Sequence, residues 1–360
     1  MTPAKQRLSA FYPGAIWADT NGTHINAHGG GLLHHDGVTY WFGEHKIEGR
    51  AGNRAMVGVH CYASQDLYNW EDRGIALAVS EDPDSDIVKG CVIERPKVIH
   101  NQRMRTFVMW FHLELKGQGY RAARSGVAVS DHVTGPYRFL GSFRPNAGVW
   151  PRNVTPEQKA QIDPATVEQA FDGTYDEAVD QVNILGRDFE GGQMARDMTL
   201  FVDDDGQAYH LYASEENSTL HISRLTDDYL APAGDFIRVF SKRYMEAPAI
   251  CRRQGRYYFI GSDCTGWAPN AARSAVASSI RGPWTELGNP CVGPGYETTF
   301  GGQSTFILPV AGREDAYIAM FDLWRPENAI DGRYMWLPMK FRDGRFELQF
   351  LSEWDLSVFD

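Results

Sequence analysis

The sequence has too little of several things to belong to several classes of protein. Five cysteines occur in 360 residues, an odd number, and no two stand in a C-x-x-C spacing. That pattern supports neither a disulfide framework nor a zinc site. No apolar stretch approaches the length of a membrane span. Residues 1–17 lack the apolar core and small-residue cleavage site of a secretory leader. Lys and Arg total 35 against 46 Asp and Glu, a formal net charge of −11, and no basic run offsets it. Nucleic acid calls for a basic excess or stripe. These absences lead to the expectation of a soluble, cytoplasmic protein with no nucleic-acid or membrane partner. They are silent on oligomeric state.

What is abundant is aromatic side chains, at 12% of the chain. Aromatics suit β structure, and they also suit surfaces that stack on flat or ring-shaped ligands. One unit recurs: an apolar run, a turn containing Gly, Asp or Asn, then a run carrying aromatics. Copies occupy residues 31–42, 96–110, 198–212, 247–260 and 304–320. Each reads as a hairpin, because turn chemistry separates two β-favouring runs. A further short strand follows each copy, at 58–64, 126–130, 219–223, 274–277 and 334–337. A repeat of several strands at a period of tens of residues is the mark of a propeller. The expectation is an all-β, five-bladed β-propeller spanning 1–360 as a single domain. An insertion at about 140–193 interrupts it, with a short helix over 155–171, and 75–90 reads as a second long loop. Residues 354–359 read as one more strand that pairs back into the first blade. A β-sandwich is the rival architecture.

Inner strands of a propeller converge on its axis, so polar residues at their starts share one funnel. The five starts carry His28, then Glu94 and Arg95, then Arg196 and Asp197, then Glu246, then Gln303. Acidic residues avoid buried strands unless paired, so three carboxylates placed just ahead of apolar strands call for an explanation. One is a buried ion-pair network among Glu94, Arg95, Arg196 and Asp197. The other is chemistry on a glycosidic bond, where one carboxylic acid protonates the leaving oxygen and a second group handles water. The acid needs a raised pKa, which burial and a neighbouring carboxylate supply. Position alone does not distribute these roles. Glu215 ends a strand and is either substrate-facing or part of a turn. Trp267 and Trp336 either stack on a sugar or pack in the core. His34 and His35 are hairpin residues, and Glu44, His45 and Lys46 fall at the funnel rim. No His or Cys spacing demands a metal.

The chain resembles glycoside hydrolase family 43 nearly end to end. Arg196-Asp197-Met198-Thr199-Leu200-Phe201 followed by Asp203-Asp204-Asp205-Gly206 is similar to the segment that carries the family's pKa-modulating Asp, which gives Asp197 that role. Met245-Glu246-Ala247-Pro248 followed by Gly255-Arg256-Tyr257-Tyr258 is similar to the segment of the general acid, which gives that role to Glu246. The family's Asp general base is missing, because the first blade reads Ala27-His28-Gly29-Gly30-Gly31. A branch that includes exo-β-1,3-galactanases shares that departure. In it a Gln of the last blade positions or activates the water and a Glu of the second blade binds substrate, which implies Gln303 and Glu94. Cys264-Thr265-Gly266-Trp267 and Asp331-Gly332-Arg333-Tyr334 also resemble that branch.

A neutral amide has almost no proton affinity, so Gln303 holds water by its carbonyl oxygen or acts through a tautomer. His28 and Glu94 are the other candidates for the base. The resemblance implies an inverting, exo-acting glycosidase with Glu246, Asp197 and Gln303 as catalytic residues. Glu94, His28, Arg95, Glu215, Trp267, Arg333 and Tyr334 are the expected substrate contacts. The substrate is an oligo- or polysaccharide ending in β-linked galactose, with a β-D-galactofuranosidase or α-L-arabinofuranosidase as the alternative. A non-catalytic sugar-binding propeller is the second alternative. No cofactor is required, and a structural cation in the central channel is implied by resemblance alone.

Overall fold

Strand hairpins form at all five repeats. A computed structural model describes residues 7–159 and 183–360. The first sheet runs β1 (His28–His35), β2 (Val38–Glu44), β3 (Gly58–Ser64) and β4 (Glu71–Ala78). The second holds β5 (Val92–Asn101), β6 (Thr106–Glu114), β7 (Arg124–Ser130) and β8 (Arg138–Phe143). The third holds β9 (Met198–Val202), β10 (Ala208–Ser214), β11 (Thr219–Leu225) and β12 (Pro232–Val239). The fourth holds β13 (Glu246–Arg253), β14 (Arg256–Ser262), β15 (Arg273–Ala277) and β16 (Thr285–Gly288). In all four the strands pair antiparallel in chain order.

The expectation of five blades is corrected to six sheets. The two-residue β17 (Cys291–Val292) precedes a three-stranded fifth sheet of β18 (Gln303–Pro309), β19 (Tyr317–Leu323) and β20 (Arg333–Pro338). The chain then forms the hairpin β21 (Lys340–Arg342) and β22 (Arg345–Gln349). β22 pairs in parallel with β17, which makes a separate sheet ordered β17-β22-β21. A two-residue strand leaves no pattern in a sequence. The hairpin did leave one: Asp343-Gly344 between Arg342 and Arg345, both at positive φ, is the strongest short-range hairpin signal.

Buried side chains lie in layers between neighbouring sheets, and the layers close a ring. Phe42 and Val59 of the first sheet meet Val98 and Met109 of the second. Trp110 and Val127 meet Leu200 and Tyr212, and Leu211 and Ile222 meet Ile250 and Tyr257. Ala249 and Tyr258 meet Ile307 and Phe321, with Phe346 and Leu348 of the small sheet in the same layer. Leu32 and Trp41 meet Ile318, Met320 and Trp336. The inner strands β1, β5, β9, β13 and β18 touch in that cyclic order around the axis. The small sheet packs outside them, against β20.

The last layer also takes in both ends of the described chain. Phe11 and Trp354 exchange backbone hydrogen bonds of 2.7 and 3.2 Å. This is an isolated bridge, and Leu356–Phe359 forms a helical turn rather than the expected strand. The expected helix over 155–171 falls mostly outside the described residues, and its described part shows one turn at Glu157–Lys159. Residues 75–78 of the expected 75–90 loop belong to β4. No helix among the described residues is long and apolar enough to cross a membrane.

Candidate active site

The inner strands enter the sheets through bulges. Register shifts fall between His28 and Gly31, between Glu94 and Lys97, and between Glu246 and Ala249. The residue after each leading side chain sits in the left-handed region: Gly29 at φ 63°, Arg95 at 55° and Ala247 at 51°. A bulge re-aims the side chain beside it, and here it turns His28, Glu94 and Glu246 toward the axis. In each case a carboxylate of the preceding sheet in the ring accepts the bulge N–H. Asp322 takes that of Gly29 at 2.8 Å, Glu44 that of Arg95 at 2.8 Å, and Asp197 that of Ala247 at 3.0 Å. Gly29 has a second reason to be glycine, since a Cβ there would stand 2.0 Å from Oε1 of Glu44.

These side chains line one cavity of about 550 Å³ over the central axis. His28, Glu94, Arg95, Asp197, Glu246, Trp267 and Gln303 all reach its wall, so seven of the ten expected site residues come together. Three do not line it. Glu215 is buried in its own network, accepting from His221 at 2.7 Å and from Arg238 at 2.6 Å on each oxygen. Burial opposes its ionisation, but those bonds outweigh it and pull its pKa to about 2. Tyr334 is core: its hydroxyl accepts from Ala27 N–H and donates to Ile25 O. Arg333 pairs with Asp331 at 2.6 Å. Trp336 is fully buried as well. Glu44 and Lys46 are not at a rim but are buried, paired with each other, and line the same cavity.

The carboxylates differ in what holds them. Arg95 grips Asp197 with two bonds, Nε to Oδ1 at 3.2 Å and Nη2 to Oδ2 at 3.0 Å. Glu94 accepts from Asn53 at 2.9 Å and Tyr120 at 2.6 Å, and pairs with His112 at 2.9 Å. His112 in turn donates to Glu114 at 2.9 Å. Burial works against a charged imidazole, yet the two carboxylates raise the His112 pKa to about 10. Burial also works against Glu94, and the bond and charge of His112 hold it well below the usual carboxylate range nonetheless. The suspected ion-pair network is therefore real but differently wired, since Arg196 pairs with Glu216 at 3.1 Å and Glu94 with His112.

Glu246 has no such cationic grip. Its Oε1 accepts from Asn217 at 2.7 Å and from the Cys264 thiol at 3.3 Å. Burial, and then the charge of Asp197, raise its pKa to about 8. The group keeps a proton at neutral pH and has a use for it. His28 moves the other way. Burial, then the charges of Lys46 and Arg95, push its pKa well below 6.5, so the imidazole is neutral and a poor base. Gln303 is tied at both ends, accepting from Arg95 Nη2 at 2.5 Å and donating to Ser262 Oγ at 2.9 Å. Arginine only donates, so the amide atom facing it is the carbonyl oxygen. That bond and the one to Ser262 fix which way the amide faces.

Glu94, His112 and Asp197 bring one ligand atom each within 4.8 Å of one another. They do not suit a divalent ion. Arg95 already neutralises Asp197, and both ring nitrogens of His112 face carboxylates. The side-chain nitrogen of Lys97 donates to Gly29 O at 2.8 Å, and burial, then the charge of Arg95, push its pKa down to about 7. Asp322 and Trp324 complete the wall and escaped the sequence reading. Trp324 stacks on the 56% exposed Trp267 at 4.9 Å and lies 4.8 Å from the His28 ring.

Known proteins resemble this arrangement along most of the chain. Residues 169–307 match the family described as Glycosyl hydrolases family 43. A family 43 β-1,3-galactosidase solved with galactodeoxynojirimycin is 50% identical over 96% of this chain and 100% of that one, with a TM-score of 0.90. The chain belongs to glycoside hydrolase family 43. This family 43 glycosidase is also similar to an exo-β-1,3-galactanase of Phanerochaete chrysosporium, a variant of which was solved with β-1,3-galactotriose. There the identity is 32% over 97% of this chain and 68% of the other, with a TM-score of 0.77. A β-D-galactofuranosidase of Aspergillus niger is 26% identical over 170 residues, which are 45% of the glycosidase and 46% of that relative. The glycosidase thus spans about half the length of that curated relative.

Proposed function

We propose that the chain is an inverting exo-β-galactosidase that removes terminal galactose from β-1,3-linked, galactan-type glycans. The observation that carries this reading is Glu246, a carboxylic acid with its pKa raised to about 8, facing a cavity that Glu44, Glu94, Asp197 and Asp322 also line. Its volume falls within the roughly 300–1,000 Å³ of small-molecule pockets, which suits a chain end rather than a long threaded glycan. The β-1,3-galactosidase that aligns with all but 4% of the chain supports the choice of sugar.

Glu246 is the general acid. It gives its proton to the glycosidic oxygen as the bond to C1 breaks, and Asn217 and Cys264 hold Oε1 so that Oε2 carries the proton. Asp197 raises that proton's affinity through its charge and fixes the acid's backbone through the Ala247 N–H. Gln303, clamped by Arg95 and Ser262, orients the attacking water. Glu94, His28 and Arg95 offer polar contacts to sugar hydroxyls, and Trp267 on Trp324 forms an aromatic ledge at the mouth. The furanosidase alternative keeps one support, the partial likeness to the Aspergillus niger β-D-galactofuranosidase.

Aryl β-D-galactopyranoside, β-D-galactofuranoside and α-L-arabinofuranoside, with β-1,3-galactobiose, form the test panel. Proton NMR of the first-formed product reads the anomer in the same reaction. Turnover of the galactopyranosides with release of α-galactose is expected. Activity confined to a furanoside, or release of β-galactose, overturns the proposal.

A further inference from the structure

Glu215 does not line the cavity, yet the turn it opens reaches Glu246, and the following inference rests on the reading of Glu246 as the acid. The turn joins β10 to β11. Its first three residues, Glu215, Glu216 and Asn217, all lie in the left-handed region, at φ 51°, 56° and 64°. The Ser218 N–H closes it on Glu215 O at 3.1 Å. A positive φ is uncommon outside glycine, and of these three residues only Asn adopts it readily. Three in succession without a glycine are strained, and such strain persists only where the surroundings over-determine it.

Here all three side chains are held. Glu215 accepts from His221 at 2.7 Å and from Arg238 at 2.6 Å on each oxygen. Glu216 accepts from Arg187 on Oε1 at 2.9 Å and from Arg196 on Oε2 at 3.1 Å. Arg187 belongs to the short helix Ile184–Arg187, near the end of the segment read from sequence as an insertion, and Asp188 fixes it with bonds of 2.7 and 2.8 Å. Arg196 also donates to Tyr120 O at 2.8 Å. Bonds between ionised partners are the strong ones, so both glutamates are firm anchors. The third side chain leaves the turn: Asn217 donates to Oε1 of Glu246 at 2.7 Å. The backbone adds a second tie two residues ahead of the acid, where Tyr244 N–H donates to Ser218 O at 3.1 Å.

We propose that Glu215 and Glu216 are positioning residues for the general acid, holding a strained turn that presents the Asn217 amide to Glu246. They act through Asn217 and not on the sugar. The amide holds one oxygen of the acid, and that hold aims the other oxygen, with its proton, at the glycosidic bond. The proposal gives the helix Ile184–Arg187 a function as well, because its last side chain is one jaw of the clamp on Glu216.

Two variants test the turn from opposite ends. Asn217→Gly suits the backbone of the turn but has no amide. Glu216→Gln keeps the size of the anchor but loses the charge that two arginines hold. Each is assayed on two forms of the glycoside that the panel finds turned over, one with a sugar as leaving group and one with dinitrophenyl, which departs without a proton. Rates are read well below pH 8, so that the acid stays protonated. With the sugar leaving group we expect kcat to fall at least about tenfold in both variants and KM to stay within about twofold, since a misplacement of about 1 Å costs up to about a hundredfold. The ratio of the two kcat values should shift by a similar factor, whereas a purely structural turn would lower both forms alike. Glycine accepts this φ, so N217G should melt close to wild type. N217G within twofold of wild type on the sugar leaving group, or an equal loss on both forms in either variant, overturns the proposal. Should E216Q fail to fold, Arg187→Gln replaces it, with a shift of the ratio in the same direction expected and its absence overturning the clamp. Glu246→Gln on the same pair separates the two readings. If E246Q loses both forms alike, the acid reading falls and this proposal with it. If E246Q shifts the ratio while N217G and E216Q leave it unmoved, only the positioning role falls.

Discussion

Glu246 and Glu94 carry the same functional group around one axis and hold their protons oppositely. Glu94 faces an imidazolium, a phenol and an amide, so its charge is fully solvated by protein. Glu246 receives one amide and one weak thiol donor, and the charge that acts on it most strongly is the negative one of Asp197. Removing a charge from water without a partner is expensive, and the group answers by keeping its proton. Two consequences follow for Glu246. Activity that needs its proton is present below pH 8 and falls as pH rises through about 8, which a kcat/KM profile on a poor leaving group will display. Stability moves with the same sign. The folded pKa of about 8 lies above the reference value of 4.5, so the folded state holds a proton that the unfolded chain has lost. Stability therefore declines between about pH 4.5 and 8. Glu246→Gln should be inactive on β-1,3-galactobiose yet melt higher than wild type above pH 8, with the difference vanishing near pH 4. Equal melting curves at pH 9 would contradict the buried, unpaired carboxylate.

At the level of strands, the bulge that opens an inner strand and the carboxylate that holds it act as one unit. Gly29 is the sharpest case, with φ at 63° and no room for a Cβ beside Glu44. Gly29→Ala should lower the melting temperature by several degrees and remove activity, because His28 and the Asp322 bond shift together. Circular dichroism melts and a kcat measurement check both. This level is also where reading from sequence succeeded and failed. The ten strands of the five hairpins were legible because alternation and turn residues repeat in each copy. The leading side chains were legible because they precede those hairpins. Asp322 was not, and Glu44 reads from sequence only as a rim residue, since both lie at the far end of the second strand of their hairpins, although an acid inside Ile318-Ala319-Met320-Phe321-Asp322-Leu323 was a visible anomaly. Tyr334 and Glu215 were placed in the site because a motif or a strand end suggested it. Neither cue reports whether a side chain faces the cavity: Tyr334 lies in the layer between the first and fifth sheets, and Glu215 is buried among residues of its own sheet. The sixth sheet depended on pairing Leu348 with Cys291, a contact 57 positions apart that no local pattern announces.

Over the whole molecule, stability resides in the layers between sheets, and the ring is only as sound as the layer that joins the first sheet to the fifth. Trp354 belongs to that layer. Its ring lies 4.3 Å from that of Phe11 at a tilt of 31°, its indole N–H donates to Trp336 O at 2.8 Å, and its backbone bridges Phe11. Trp354→Ala should cost about 3–5 kcal/mol, the usual toll for emptying a large aromatic site, read as a lower denaturation midpoint in urea. A change below 1 kcal/mol would mean that the ring is closed by other contacts. The bulge latches give the molecule a different kind of dependence. Asp322, Glu44 and Asp197 face the substrate cavity with the same carboxylates that fasten one sheet to the next. The floor of the pocket therefore has little freedom to drift or to be redesigned, because each change there is tested for assembly before it is tested for turnover. New specificities, whether evolved or engineered, should accumulate instead on the ledge around Trp267, where a side chain can change without releasing a seam.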